Sequence, residues 1–74
     1  MNQWELDFIH EIVDQVSSQD KSFTVTEITE SISKIKPDLG VAFGTLRNVV
    51  RKEINGKIRL GEVVNPLKGK YIKV

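Results

Sequence analysis

Apolar side chains recur at three- and four-residue spacing in three stretches of the chain, and give way to partial alternation only after the third. That change of period separates helix from strand. In "WELDFIHEIVDQVSS" the repeat is Phe8, Ile9, Ile12, Val13 and Val16, with Glu5, Asp7, Glu11 and Asp14 on the outer face. Acids early in a helix suit its positive end, and Asn2 stands where an N-cap is expected. Trp4 either packs one turn before Phe8 or lies exposed. The polar "SSQDK" forms a loop.

The β-prone "SFT" follows, with Phe23 pointing inward from a very short strand. Thr24 and Glu27 have the spacing of a capping box and open a second helix, "VTEITESISKI", whose stripe is Val25, Ile28, Ile32 and Ile35. Pro37 forbids much further helix, because it drives its predecessor out of the helical region. "KPDLG" is then a turn in which Gly40 tolerates a positive φ. The spacing predicts a third helix from about residue 42 to 54, with Leu46, Val49, Val50 and Ile54 buried. Asn55-Gly56 reads as a turn. "KIRLGEVV" and "KYIKV", joined by the five-residue "NPLKG", read as an antiparallel hairpin over about residues 57–74. Such a hairpin is not stable alone and must lie against the helices. The expectation is one α+β domain over residues 1–74, a three-helix core with a C-terminal β-hairpin.

Composition narrows the function. A chain of 74 residues buries only roughly 60% of its unfolded surface, which leaves little room for a deep pocket. Without cysteine, disulfides and thiolate sites are excluded. No apolar run nears the roughly 20 residues of a membrane helix, and "MNQWELD" lacks the layout of a signal peptide. A cytoplasmic location without membrane contact is expected. Net charge is only +1, but through Glu30 one base faces seven acids, and from Ser31 ten bases face three acids. Such a split suits one end of the molecule to a polyanion.

Element order and residues together resemble the winged helix-turn-helix family. Leu39-Gly40-Val41-Ala42 is similar to the turn before the third helix in bacterial repressors of the gluconate-operon class. Leu46, Val49 and Val50 then stand at the core-facing positions and Arg47 at the arginine position. Gly56 stands at the glycine entering the strand, and Ile58 at the strand's first inward residue. The resemblance covers about residues 23–74. Ala42 departs from it, replacing the usual hydroxyl cap, and the stretch from Glu27 to Leu39 is longer. The longer turn and the ending "GKYIKV" look more like winged helices appended to restriction endonucleases.

The resemblance implies duplex DNA binding, with the third helix in the major groove and the hairpin as a wing on the backbone or minor groove. A rotation of 100° per residue puts Gly44, Asn48, Arg51 and Asn55 on one line, with Thr45 and Lys52 beside it. Asn pairs bidentately with adenine and Arg with guanine. Thr45 suits a phosphate or a thymine methyl, and Gly44 permits close approach. Phe43 either faces thymine methyls or joins the core. On the wing, Lys68 and Lys70 would neutralise phosphates. The candidate DNA-binding residues are thus Phe43, Gly44, Thr45, Arg47, Asn48, Arg51, Lys52, Lys68 and Lys70, within a transcriptional regulator or the targeting domain of a larger protein. Weaker candidates are Lys34, Lys36, Lys57 and Arg59.

Catalysis finds no constellation. His10 is the only histidine and lies among acids on one helix, which is no convergent metal set. No glycine-rich phosphate loop is present. No cofactor is expected. The competing class is a protein-docking module working through the acidic first helix and Trp4, since fold does not fix function. A homodimer through that helix fits either reading.

Overall fold

A computed structural model describes residues 1–74. Three helices, α1 (Gln3–Ser17), α2 (Val25–Ile35) and α3 (Phe43–Arg59), precede an antiparallel hairpin of β1 (Val63–Leu67) and β2 (Lys70–Lys73). This is the expected α+β layout, in a winged-helix-like arrangement.

The core forms where the apolar stripes meet. Ile9, Ile12 and Val13 of α1 pack with Val25, Ile28 and Ile32 of α2 and with Leu46, Val50 and Ile54 of α3. Phe23, Leu39 and Val63 close the cluster. The buried Thr29 hydroxyl donates to the Val25 carbonyl at 2.8 Å, so it enters the core without an unmet hydrogen bond. Ile35, expected on the α2 stripe, is instead exposed. Its helix ends there, two residues before Pro37.

The helix starts differ in their caps. At α1 the capping box is complete: the Glu5 N–H donates to Asn2 Oδ1 (3.0 Å) and the Asn2 N–H to Glu5 Oε1 (2.9 Å). At α2 only half of the expected box forms, with the Glu27 N–H donating to Thr24 Oγ1 at 3.0 Å. At α3, Ala42 offers no side-chain cap, which forgoes roughly 1 kcal/mol.

The third helix corrects the sequence reading. It does not turn at Asn55-Gly56 but continues to Arg59. Ile58 extends the four-residue series Leu46, Val50, Ile54 and packs against the core, which repays the weak helix propensity of Asn and Gly. The helix stops one glycine later. Gly61 takes φ +75°, its N–H bonds the Ile58 carbonyl, and the Glu62 N–H bonds the Lys57 carbonyl. These two bonds make a Schellman motif. Gly56 and Ile58 therefore do not occupy the strand-entry positions that the repressor resemblance implied, and the hairpin covers Val63–Lys73 rather than residues 57–74. An alanine at position 56 meets no atom within 4 Å. Gly56→Ala is accordingly expected to raise stability by roughly 0.5–1 kcal/mol. Urea unfolding checks this, since a turn at that position would make the same change destabilising.

The expected five-residue hairpin connection is shorter, because Asn65, Pro66 and Leu67 belong to β1. Pairing runs Val63 to Lys73 and Val64 to Ile72, then resumes at Leu67 and Lys70. Asn65 and Pro66 together oppose Tyr71, a bulge that accommodates the missing N–H of proline. On its other side β2 meets Phe23. Their backbones exchange two hydrogen bonds (2.8 and 2.9 Å), and the Phe23 and Tyr71 rings stack at 5.9 Å. The "SFT" strand is thus reduced to one bridge, which fastens the hairpin to the helices.

Candidate nucleic-acid interface

One face of α3 packs while the other stays in solvent. Leu46, Val50 and Ile54 are buried, whereas Gly44, Thr45, Asn48, Arg51 and Lys52 are exposed. The helical rotation that separates the two sets is the one the sequence implies. Gly44 lies on the exposed line, and an added Cβ there meets nothing within 4 Å. No internal packing therefore requires this glycine, although it weakens the helix by up to about 1 kcal/mol relative to alanine. Phe43, left open by the sequence, is 44% exposed at the start of the same helix. It stands apart from the core cluster and on the solvent side.

The hairpin tip approaches this helix. A cleft of about 440 Å³ is bounded by Thr24 and Thr26 at the start of α2, Arg47 and Arg51 on α3, and Lys68 and Tyr71 on the hairpin. Arg47 is half-buried, and its Nε donates to Thr26 Oγ1 at 3.3 Å. It is therefore held toward α2 instead of standing free on the outer face. Arg51 and Lys68 make no ion pair, and no carboxylate borders the cleft. The positive end of α2 adds to the same field. Thr24, Thr26 and Tyr71 escaped the linear reading because only tertiary packing brings α2, α3 and the hairpin together.

The remaining candidates divide by location. Lys70 is exposed and unpaired on the hairpin. Lys52 borders a different hollow, shared with His10, Glu53 and Glu62, so it does not join the cleft. The weaker candidates Lys36 and Lys57 are otherwise engaged. Lys36 Nζ lies 5.3 Å from the ring centroid of Trp4, which is 52% exposed, and pairs with Asp38 at 3.8 Å. Lys57 bridges Asp14 and Glu62. Burial lowers its pKa, but the Asp14 and Glu62 carboxylates outweigh that and hold it above its ordinary value.

His10 joins this ionic cluster on the side of α1 that faces α3. Its Nδ1 lies 3.1 Å from Glu53 Oε2 and its Nε2 3.2 Å from Asp14 Oδ2. The ring is thus spanned by two carboxylates, and no group of three or more His, Cys, Asp or Glu side chains is placed to hold a metal. The hydrogen bond to Glu53 raises the His10 pKa above 6.5; partial desolvation opposes this and Asp14 adds to it. A raised folded pKa means that the bridge stabilises fully below 6.5 and loses its contribution as pH climbs through the raised value. The stability advantage of wild type over His10→Gln is therefore expected to shrink between about pH 5.5 and pH 8. It will be small, because the ring is mostly in solvent. Thermal melts of both proteins across that range check the sign.

No helix is long and apolar enough to cross a membrane. No known family matches the sequence, and comparisons with curated proteins and with solved structures give no match.

Proposed function

We propose that this protein binds duplex DNA, with α3 in the major groove and the hairpin against the adjacent backbone or minor groove. The observation that carries this reading is the convergence of Arg47, Arg51 and Lys68 on one carboxylate-free cleft. Like charges gather at a cost unless a polyanion neutralises them. Beyond the cleft, α3 presents an exposed row of the residue types that read base edges: Asn48 for adenine and Arg51 for guanine. Gly44, unneeded by the protein's interior, lets the helix approach a groove wall closely.

The division of labour follows from placement. Arg47, held by Thr26, Lys68 and Lys70 contact phosphates and set the register of the helix. Asn48, Arg51 and Thr45 face the bases, with Phe43 at the helix start positioned for apolar contact with thymine methyls. Such a module serves a transcriptional regulator or directs a larger protein to DNA.

Titrating fluorescent duplex DNA at rising salt tests the reading. Affinity is expected to fall steeply as salt increases, with a slope of roughly −0.9 per phosphate neutralised. Absence of binding at low salt would overturn it. Chemical-shift mapping places the surface: changes are expected at residues 43–51 and 65–70 on adding DNA. The exposed Trp4 and Ile35 favour a second surface near α1. Shifts confined to residues 3–16 on adding a protein partner would make docking the function instead.

A further inference from the structure

Leu67 stands at the apex of the hairpin with 69% of its surface exposed. Single exposed leucines are common on protein surfaces, but the setting of this one is unusual in three respects. It is held in place: Asn65 Nδ2 donates to the Leu67 carbonyl at 2.6 Å and also to the Lys70 carbonyl. Pro66 fixes the backbone just before it, and Gly69, at φ +79°, turns the chain tightly just after it. Lys68 and Lys70, neither in an ion pair, flank it. The bulge sets the aim. The extra residue on β1 pairs Leu67 with Lys70, which by alternation along β2 shares a face with Ile72 and not with the core-facing Tyr71.

We propose that Leu67 is a wedge that enters the minor groove of a bound duplex and separates two neighbouring base pairs. The inference rests on the DNA-binding reading and adds deformation of the DNA to it. Lys68 shares the cleft with Arg47 and Arg51, so a duplex seated on α3 meets the hairpin tip at its adjoining groove. The lysines neutralise the phosphates that line that groove. The apolar side chain then gains burial between base pairs, which offsets the lost stacking. A rigid tip suits this task, because a flexible one would fold away before it unstacked a step.

The experiment uses the full chain and a duplex of about 30 base pairs, labelled at both ends and containing TA steps, which kink readily. Energy transfer between the ends reads the bend, and anisotropy on the same duplex reads binding. At saturation the wild-type protein is expected to raise energy transfer, corresponding to a kink of roughly 20–90°. Leu67→Ala is expected to return energy transfer to that of free DNA while weakening binding by no more than about tenfold. An A-tract duplex, which resists kinking, is expected to bind more weakly than the TA duplex to wild type, and equally to Leu67→Ala. Binding by wild type without a bend, or an equal bend with Leu67→Ala, overturns the wedge and leaves the DNA-binding reading standing. No binding by wild type overturns both.

Discussion

Ile54→Ala is expected to lower the unfolding free energy by about 2–5 kcal/mol. The side chain is fully buried, with Val50 and Leu46 one and two turns before it on α3. Removing its branched end withdraws apolar surface from the core and leaves a cavity, because the helices on either side cannot collapse fully onto it. At roughly 0.05–0.15 kcal/mol per residue, a chain of this length has little stability to spare. A large part of the population is therefore expected to unfold near 37 °C. Urea denaturation followed by circular dichroism measures the loss. A decrease below about 1 kcal/mol would mean that α3 is not packed as described.

The largest functional effect is expected from reversing two charges of the cleft together. Arg51→Glu with Lys68→Glu removes two unpaired cations and places two carboxylates where DNA phosphates would lie. Affinity for duplex DNA is expected to fall by at least about 100-fold, equivalent to roughly 2.7 kcal/mol. The salt slope is expected to shrink by about 1.8, from two lost phosphate contacts. Both residues are exposed, so stability should stay within about 0.5 kcal/mol of wild type. Lys73→Glu provides the comparison. Lys73 pairs with Asp20 at 3.2 Å, away from the cleft, and its reversal is expected to cost far less affinity. Equal losses for the two variants would point to a diffuse electrostatic effect and against this cleft.

The element order was legible because helix and strand periods differ, and because Thr24, Pro37 and Gly40 punctuate the chain between them. The end of α3 was misread for a physical reason. Asn55-Gly56 and Leu60-Gly61 both offer a stop, and local propensity favours the first. Ile58 decides for the second, since its burial four residues beyond Ile54 outweighs the cost of one helical glycine. The exposed row on α3 was legible from rotation alone, and it placed Asn48, Arg51 and Thr45 correctly on the solvent face. The cleft was not legible, because it depends on how closely α2 and the hairpin tip approach α3. That approach also takes Arg47 toward Thr26 and leaves Lys52 on a different side.

The Phe23–Tyr71 bridge bears on the order of folding. Each helix and the hairpin closes over short stretches of chain, whereas this bridge joins the start of α2 to the last strand. The entropy of closing so long a loop is recovered only once the helices are already assembled. Docking of the hairpin is therefore the late event in folding and the first to reverse. In native-state hydrogen exchange, the Phe23 and Tyr71 amides should open together, at a lower free energy than the amides of Val50 and Ile54. The tip that meets DNA thus hangs on the most readily opened contact in the molecule, while the helix that reads the bases belongs to its slowest-exchanging part.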